Sequence, residues 1–587
     1  MIIKKLLTFL IGFVGLIILV AFFIFYANNN NYGIFGQNSG NKVQAIVSSQ
    51  KLATEAGFEM LEAGGTTADA AVATAAVLSV VEPWFSSALG GGTWALYYDA
   101  KTGEVVSLDG VGPVGSLASV EDYSARANTP GIHQSNVPGS WDAWMILLEK
   151  YGKLDLDKVL EPSIRIAKQG YPVTQDMKNW LNRLEKDILK RPSALAIYAP
   201  NGKFLKVGET VYQHNMAKTF ENLATAYSGK KQTGAGRVAS IQAARDYYYR
   251  GPLAEAIVKY SNDFGGYLTI KDFNDFKAKI VKPISIKYND QITVFENPPN
   301  SQGIVILLAL NILKDYDFSN SSVNDYDVIH KQVEALKLSF ADRYYYIGDP
   351  ERINIPIDKL LSDSYAQDQR ERINMKKSMS WPIEPGLSEN TQTLKADHTT
   401  TFHITDKNGN AIAVTTSLGA EFLVIGDTGI HINNRMRMIS LGEDDPNRLT
   451  PGYKVRHTSN PYMALKNGEP YILGGNTGVD TQPQGQLQQF MAVVEFGLTA
   501  QEAINKPRFV STAFPAGTYP FAVSDSLQME NGFPQETISE LRSLGHNIAI
   551  GSGIYGSANM LVVAADGKSV QVGGETRTSS YGRTIQP

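Results

Sequence analysis

The first apolar block is an unbroken run, LLTFLIGFVGLIILVAFFIFY, from Leu6 to Tyr26. It carries no charge and is long enough to cross a bilayer as a helix. Lys4 and Lys5 precede it and the next basic residue is Lys42, so the positive-inside rule leaves residues 1–5 as a cytoplasmic tip and the body outside the cytoplasm. A cleaved signal peptide is the competing reading. It would have a shorter apolar core, and Phe25 stands where a cut after Ala27 would need a small residue. The expectation is a membrane-anchored, extracytoplasmic protein with an uncleaved anchor over 6–26 and a polar Asn/Gly-rich tether over 27–43.

Beyond the tether the pattern turns helical. SSQKLATEAGFEMLEAGG predicts a helix with Ser at its start and Gly64-Gly65 at its end. TTADAAVATAAVLSVVEP is apolar nearly all round, which predicts a buried helix stopped by Pro83. SSALGGGTWALYYDAKTGEVVSLDG predicts a Gly-rich loop and a two-strand hairpin. From about Gly139 to Ser380 amphipathic helical segments dominate, and from Thr399 strand patterns take over: TTFHIT, AIAVTTS, GIHINN, YMALKNG and PYILGGN. Two more helices, QPQGQLQQFMAVVEFG and TAQEAINKP, precede a late Asp-Gly hairpin, MLVVAADGKSVQVGG. The chain therefore divides near residue 398 into a helix-rich front and a strand-rich back.

Composition removes several chemistries. No cysteine occurs in the 587 residues, which excludes disulfides, thiolate metal sites and a cysteine nucleophile. A net charge of −4 gives no basic footprint for nucleic acid. The eight histidines form no HExxH-like pair, so no metal is expected. There is no GxSxG elbow for a serine hydrolase. The glycine triplet at 90–92 lacks both the Walker ending and dinucleotide spacing, which favours close backbone packing over a phosphate cradle.

What remains is HTTTFHITDKNGNAIAVTTS, residues 398–417, three threonines at the mouth of an Asn-Gly hairpin. They are good strand residues, and one of them is also a candidate nucleophile. A threonine hydroxyl becomes competent when the residue is N-terminal and its own α-amine takes the proton. That amine titrates at about 7.7–8.0, near working pH. Such chemistry demands a cut just before the threonine.

The chain resembles the γ-glutamyltranspeptidase family of N-terminal-nucleophile hydrolases. The resemblance runs over roughly residues 44–585. It is carried by LATEAGFEMLEAGGTTADAAVATAAVLSVVEP, LGGG, PGSWDAW, ENPPNSQGI, EALKLSFADRYYYIGDP, HTTTFHITDKNGNAIAVT, QPQGQLQQF and INKPRF. It implies an α+β fold, a four-layer αββα sandwich, and autocatalytic cleavage between His398 and Thr399. The products would be a large subunit, 44–398, and a small catalytic subunit, 399–587, which stay associated. By the same resemblance the nucleophile falls on Thr399, seven positions before Asp406, and the second hydroxyl on Ser417. The oxyanion donors are implied to be the backbone N–H groups of Gly478 and Val479, and no cofactor is required.

The substrate clamp departs from the family pattern. LDGVGPVGS has no arginine for an α-carboxylate, Arg435 and Met438 stand where acidic residues hold the α-amine, and Gly419 replaces an asparagine. The serine pair becomes HTSNP, which makes Thr458 and Ser459 the candidate substrate contacts. Arg435 reads either as a ligand for an anionic substrate or as half of a structural ion pair. Arg577, in GGETRTSS, is a fallback carboxylate clamp. The expected activity is a self-processing γ-glutamyl-type hydrolase or acyltransferase acting on a small or polymeric amide. Alternatives are an amidohydrolase for a non-glutamyl anionic amide, a transpeptidase for capsule poly-γ-glutamate, and an inactive envelope binding protein.

Overall fold

Two antiparallel sheets lie at the centre of the computed structural model, which describes residues 42–227, 229, 234–387, 399–419, 421–518 and 521–586. Across the first sheet the strands run Tyr581–Ile585, Gln44–Ser48, Thr400–Thr405, Ala411–Ser417, Gly92–Asp99, Glu104–Gly110 and Lys279–Val281. Across the second they run Val570–Gly574, Ala558–Val563, Glu469–Asn476, Tyr462–Lys466, Ile292–Glu296 and Ile284–Lys287.

The two-residue period of a strand decides what each face meets. Ala45, Val47, Leu96, Tyr98, Ala411 and Ala413 of the first sheet pack against Met463, Leu465, Leu473 and Leu561 of the second. Their neighbours Ile46, Tyr97, Phe402, Ile404, Ile412 and Val414 point the other way, into a core shared with helices Lys51–Glu62, Thr67–Val81, Ser140–Tyr151 and Leu156–Gln169. On the far side Val294, Tyr462, Ala464, Ile472 and Met560 pack under Ile304–Leu313, Tyr326–Tyr346 and Thr481–Val494. The order is helix, sheet, sheet, helix, as expected. Glycines let the sheets approach closely: a Cβ on Gly475 would lie 2.0 Å from Thr401 Oγ1, and one on Gly582 2.2 Å from Val572 Cγ1.

The Ala/Val helix is buried along its whole length and starts in a capping box between Thr66 and Asp69. Glu82 caps its end, just before Pro83. Three expectations need correction. The helix before it starts after Gln50, not at Ser49, because Ser48 closes the preceding strand and bonds Thr54 Oγ1 at 2.7 Å. GIHINN forms only an isolated bridge between Val424 and His431. There Asn433 and Asn434 spend their amides on Gly90 and Glu421 and lead into a 3-10 turn, Arg435–Met438. The helix-rich middle also supplies three strands to the two central sheets: Lys279–Val281 and Ile284–Lys287 at an edge of each, and Ile292–Glu296 next to the latter.

Residue 398 is therefore no boundary in space. Thr400–Thr405 lies between Gln44–Ser48 and Ala411–Ser417, and the C-terminal strand closes the edge beside Gln44–Ser48. Among the described residues no helix is long and apolar enough to cross a membrane. The expected anchor over 6–26, the tether as far as residue 41, and His398 lie outside the described residues.

Candidate active site

Strand register separates the three threonines. Thr400 pairs with Thr416, so the next position back, Thr399, comes opposite Ser417 at the open end of the hairpin. Odd-numbered residues of both strands face the space between the sheets, and Thr400 faces the helices. The hydroxyls accordingly find three different partners. Thr399 Oγ1 lies 3.0 Å from Ser417 Oγ, Thr400 donates to Glu82, and Thr401 donates to the Val414 carbonyl at 2.8 Å. The hairpin is pinned by Asp406, whose carboxylate accepts from Asn408 N, Asn410 N and Thr67 N.

Thr399 and Ser417 are both fully buried. Gln482, in the first turn of its helix, donates Nε2–H to Thr399 Oγ1 at 3.2 Å. Arg435, also fully buried, donates to Ser417 Oγ at 2.7 Å and to Asn434 Oδ1 at 2.6 Å. A guanidinium only donates, so Ser417 Oγ accepts from Arg435, and the Thr399–Ser417 hydrogen bond can run in either direction. Gln482 therefore supplies one fixed donor to the Thr399 oxygen, and Ser417 lies within hydrogen-bond reach of it.

The turn before Gln482 has unusual backbone. Gly478 has φ +93° and Val479 φ +51°, a left-handed conformation that a β-branched residue avoids. The turn is held through its carbonyls. Gly478 O accepts from Thr481 N at 2.9 Å, and Val479 O accepts from Gln302 Nε2 at 2.8 Å. Gln302 is in turn held by Arg343, which also pairs with Asp480 and donates to Pro515 O. Among the described residues neither the Gly478 nor the Val479 N–H donates a hydrogen bond.

The remaining expected contacts are placed unequally. Gln302 Nε2 also donates to the Thr458 carbonyl at 2.9 Å, which ties that residue to the turn, while the Thr458 hydroxyl meets Met438 Sδ. The Ser459 carbonyl accepts from Ser301, and among the described residues its hydroxyl has no partner. The Arg577 guanidinium is engaged by Glu530 and Glu575. The segment LDGVGPVGS contains no arginine, and its Asp109 pairs with Lys454.

Several groups were not singled out from sequence. Gln482 and Gln302 stood in recognised blocks without a role, and Glu82 was read only as the end of a helix. Glu82 accepts from Ser49 Oγ at 2.6 Å and from Thr400, and complete burial pushes its carboxyl up to about 7 against those two hydrogen bonds. Ligand atoms of His330, Glu334 and His546 also gather within 4.8 Å of one another. Lys337 Nζ already pairs with Glu334 there at 2.7 Å, a cation beside the place a metal would occupy.

The gamma-glutamyltranspeptidase family model matches residues 53–584. The chain belongs to that family. It is 33% identical over 513 residues to the glutathione hydrolase-like YwrD proenzyme of Bacillus subtilis (strain 168), covering 86% of this chain and 91% of that one. It is 29% identical over 545 residues to the glutathione hydrolase proenzyme of Escherichia coli (strain K12), covering 89% and 88%. Among solved structures, the cephalosporin acylase from Bacillus halodurans superposes with a TM-score of 0.80 at 31% identity, covering 93% of this chain and 96% of that one. The protein is thus a gamma-glutamyltranspeptidase-family enzyme with an N-terminal-nucleophile hydrolase fold.

Proposed function

We propose that the protein is a self-processing amide hydrolase or acyltransferase whose nucleophile is Thr399. Cleavage of the His398–Thr399 bond frees the Thr399 α-amine and divides the chain into residues 1–398, which hold the large subunit 44–398 and the anchor, and the small subunit 399–587. The amine then accepts the Thr399 hydroxyl proton as Oγ1 attacks the substrate carbonyl. Ser417 and Gln482 steady Oγ1, and the N–H groups of Gly478 and Val479 receive the oxyanion, a type of contact worth about 10²–10³ in rate. The protonated amine passes its proton to the leaving nitrogen, and water or an acceptor amine then releases the acyl group. No cofactor enters this sequence.

The observation that carries this reading is the 3.0 Å contact of Thr399 with Ser417, completed by Gln482 from the helix that follows the Gly478–Val479 turn. The acyl donor is an amide other than glutathione. This is supported by Arg435 lying on Ser417 and by the lack of an arginine in LDGVGPVGS, whose Asp109 pairs with Lys454. The enzyme works outside the cytoplasm, anchored by residues 6–26. Retention in the membrane pellet through alkaline carbonate supports that placement, and release of the large subunit contradicts it. For the chemistry, Thr399→Ala should stay one chain and turn over no member of a panel of glutathione, γ-glutamyl anilide, simple acyl anilides and poly-γ-glutamate. Turnover of any of them by the uncut variant removes Thr399 from the mechanism.

A further inference from the structure

Glu82 is a carboxylate in a place that disfavours charge. It is buried, and it follows the last turn of the Thr67–Val81 helix, where the carbonyl end of the helix dipole repels an anion. Among the described residues the charged group that bears on it is Asp176, another acid, which Ser579 engages through its N–H at 3.0 Å and its hydroxyl at 2.6 Å. A glutamine of the same shape would avoid these costs, so the acid is accounted for by what it holds.

What it holds is the end of the strand that follows Thr399. Gln44–Ser48 pairs with Thr400–Thr405 from Ala45–Thr405 to Val47–His403, so on that side the ladder stops before Thr400. On the other side Thr400 pairs with Thr416. Where the first ladder ends, one carboxylate oxygen takes over. Glu82 Oε2 accepts from the Ser49 hydroxyl at 2.6 Å and from the Thr400 hydroxyl. Ser49 directly follows the strand Gln44–Ser48. Glu82 therefore extends the junction of the two strands to the residue next to Thr399.

We propose that Glu82 is a positioning residue for self-cleavage: by tying the Thr400 hydroxyl to Ser49 it holds still the backbone that carries the bond to be cut. The proposal rests on the reading of Thr399 as the nucleophile. In the cut, Thr399 Oγ1 bonds to the His398 carbonyl carbon and the C–N bond breaks. The hydroxyl proton goes to the new amine, and water then hydrolyses the ester. Glu82 touches none of these atoms, because Thr400 faces the helices and Thr399 the space between the sheets; it acts through the strand. An ionised carboxylate holds a hydroxyl more strongly than a neutral acid does. Burial pushes the Glu82 carboxyl up to about 7, and the uncut chain has no Thr399 amine to titrate. Self-cleavage should therefore be fastest above about 7 and slow as pH falls through that value.

The test follows cleavage of the freshly translated full chain by denaturing electrophoresis across that pH range. In Glu82→Gln the rate at the alkaline end should drop about tenfold, the difference between a hydrogen bond to a charged acceptor and one to a neutral acceptor, and its pH dependence should flatten. Thr400→Val, which removes the hydroxyl and keeps the shape, should do the same. The double variant should be no slower than the slower single one, since both break one contact. His398, beside the cut, is the other group whose ordinary titration falls in this range, and in His398→Gln the rate should still fall below about 7. An unchanged pH dependence in Glu82→Gln, additive losses in the double variant, or a fall that disappears in His398→Gln would overturn the proposal. Should Glu82→Gln not fold, Thr400→Val decides alone, and cleavage at the wild-type rate overturns it. A wild-type chain that stays uncut, or is cut elsewhere, would instead remove the underlying reading of Thr399.

Discussion

Thr399, Thr400 and Thr401 are chemically alike and separated only by strand parity, which gives each hydroxyl a different environment. Thr400 belongs to Glu82, and that carboxylate makes a pH prediction. Its folded value of about 7 lies above the ordinary 4.5, so between those values the folded protein keeps a proton that the unfolded chain releases. The group therefore favours folding below about 4.5, and that contribution is lost as pH rises to about 7, an effect on the order of 3 kcal/mol. Glu82→Gln should flatten the fall in Tm across that window relative to wild type; parallel curves would show that Glu82 does not titrate there. Thr399 and Ser417 were singled out through the family resemblance, and the register of the Asn-Gly hairpin brings the two opposite one another. The roles of Gln482 and Glu82 were not, because their contacts cross long stretches of chain: Gln482 is 83 positions from Thr399, and Glu82 is 318 from Thr400.

The turn at Gly478–Val479 is the element on which the proposed oxyanion site depends. Gly478→Ala combines a φ of +93° with a Cβ placed 2.4 Å from Thr481 Oγ1, so the turn must shift. Turnover should fall about 10²-fold, the cost of misplacing an oxyanion donor. Val479→Gly removes the strain of a β-branched residue at φ +51° and keeps the N–H, so its turnover should stay within a few-fold of wild type. Kinetics on processed protein check both, and an unimpaired Gly478→Ala enzyme would move the oxyanion site elsewhere. The long helices and the hairpins 92–110, 400–417, 462–476 and 558–574 were readable from periodicity and turn residues. The strands between 279 and 296 were not, since they are short and lie in helix-rich surroundings; GIHINN failed because its asparagines bond across the chain instead of continuing a ladder.

At the scale of the whole molecule the proposed cut falls inside the first sheet. The strand after it stays paired on both sides, to Gln44–Ser48 and to Ala411–Ser417, and Tyr581–Ile585 adds a further seam between the two parts. The fragments should co-elute in native size-exclusion chromatography and separate only in denaturant; separation in buffer alone would contradict that interlocking. The central claim is that the enzyme makes its own N-terminal threonine, and the most direct measurement is the N-terminal sequence of the smaller fragment of purified, active protein. The account predicts that it begins at Thr399, with Thr400 and Thr401 following. A single uncut chain in active protein, or a fragment beginning at any other residue, would contradict it.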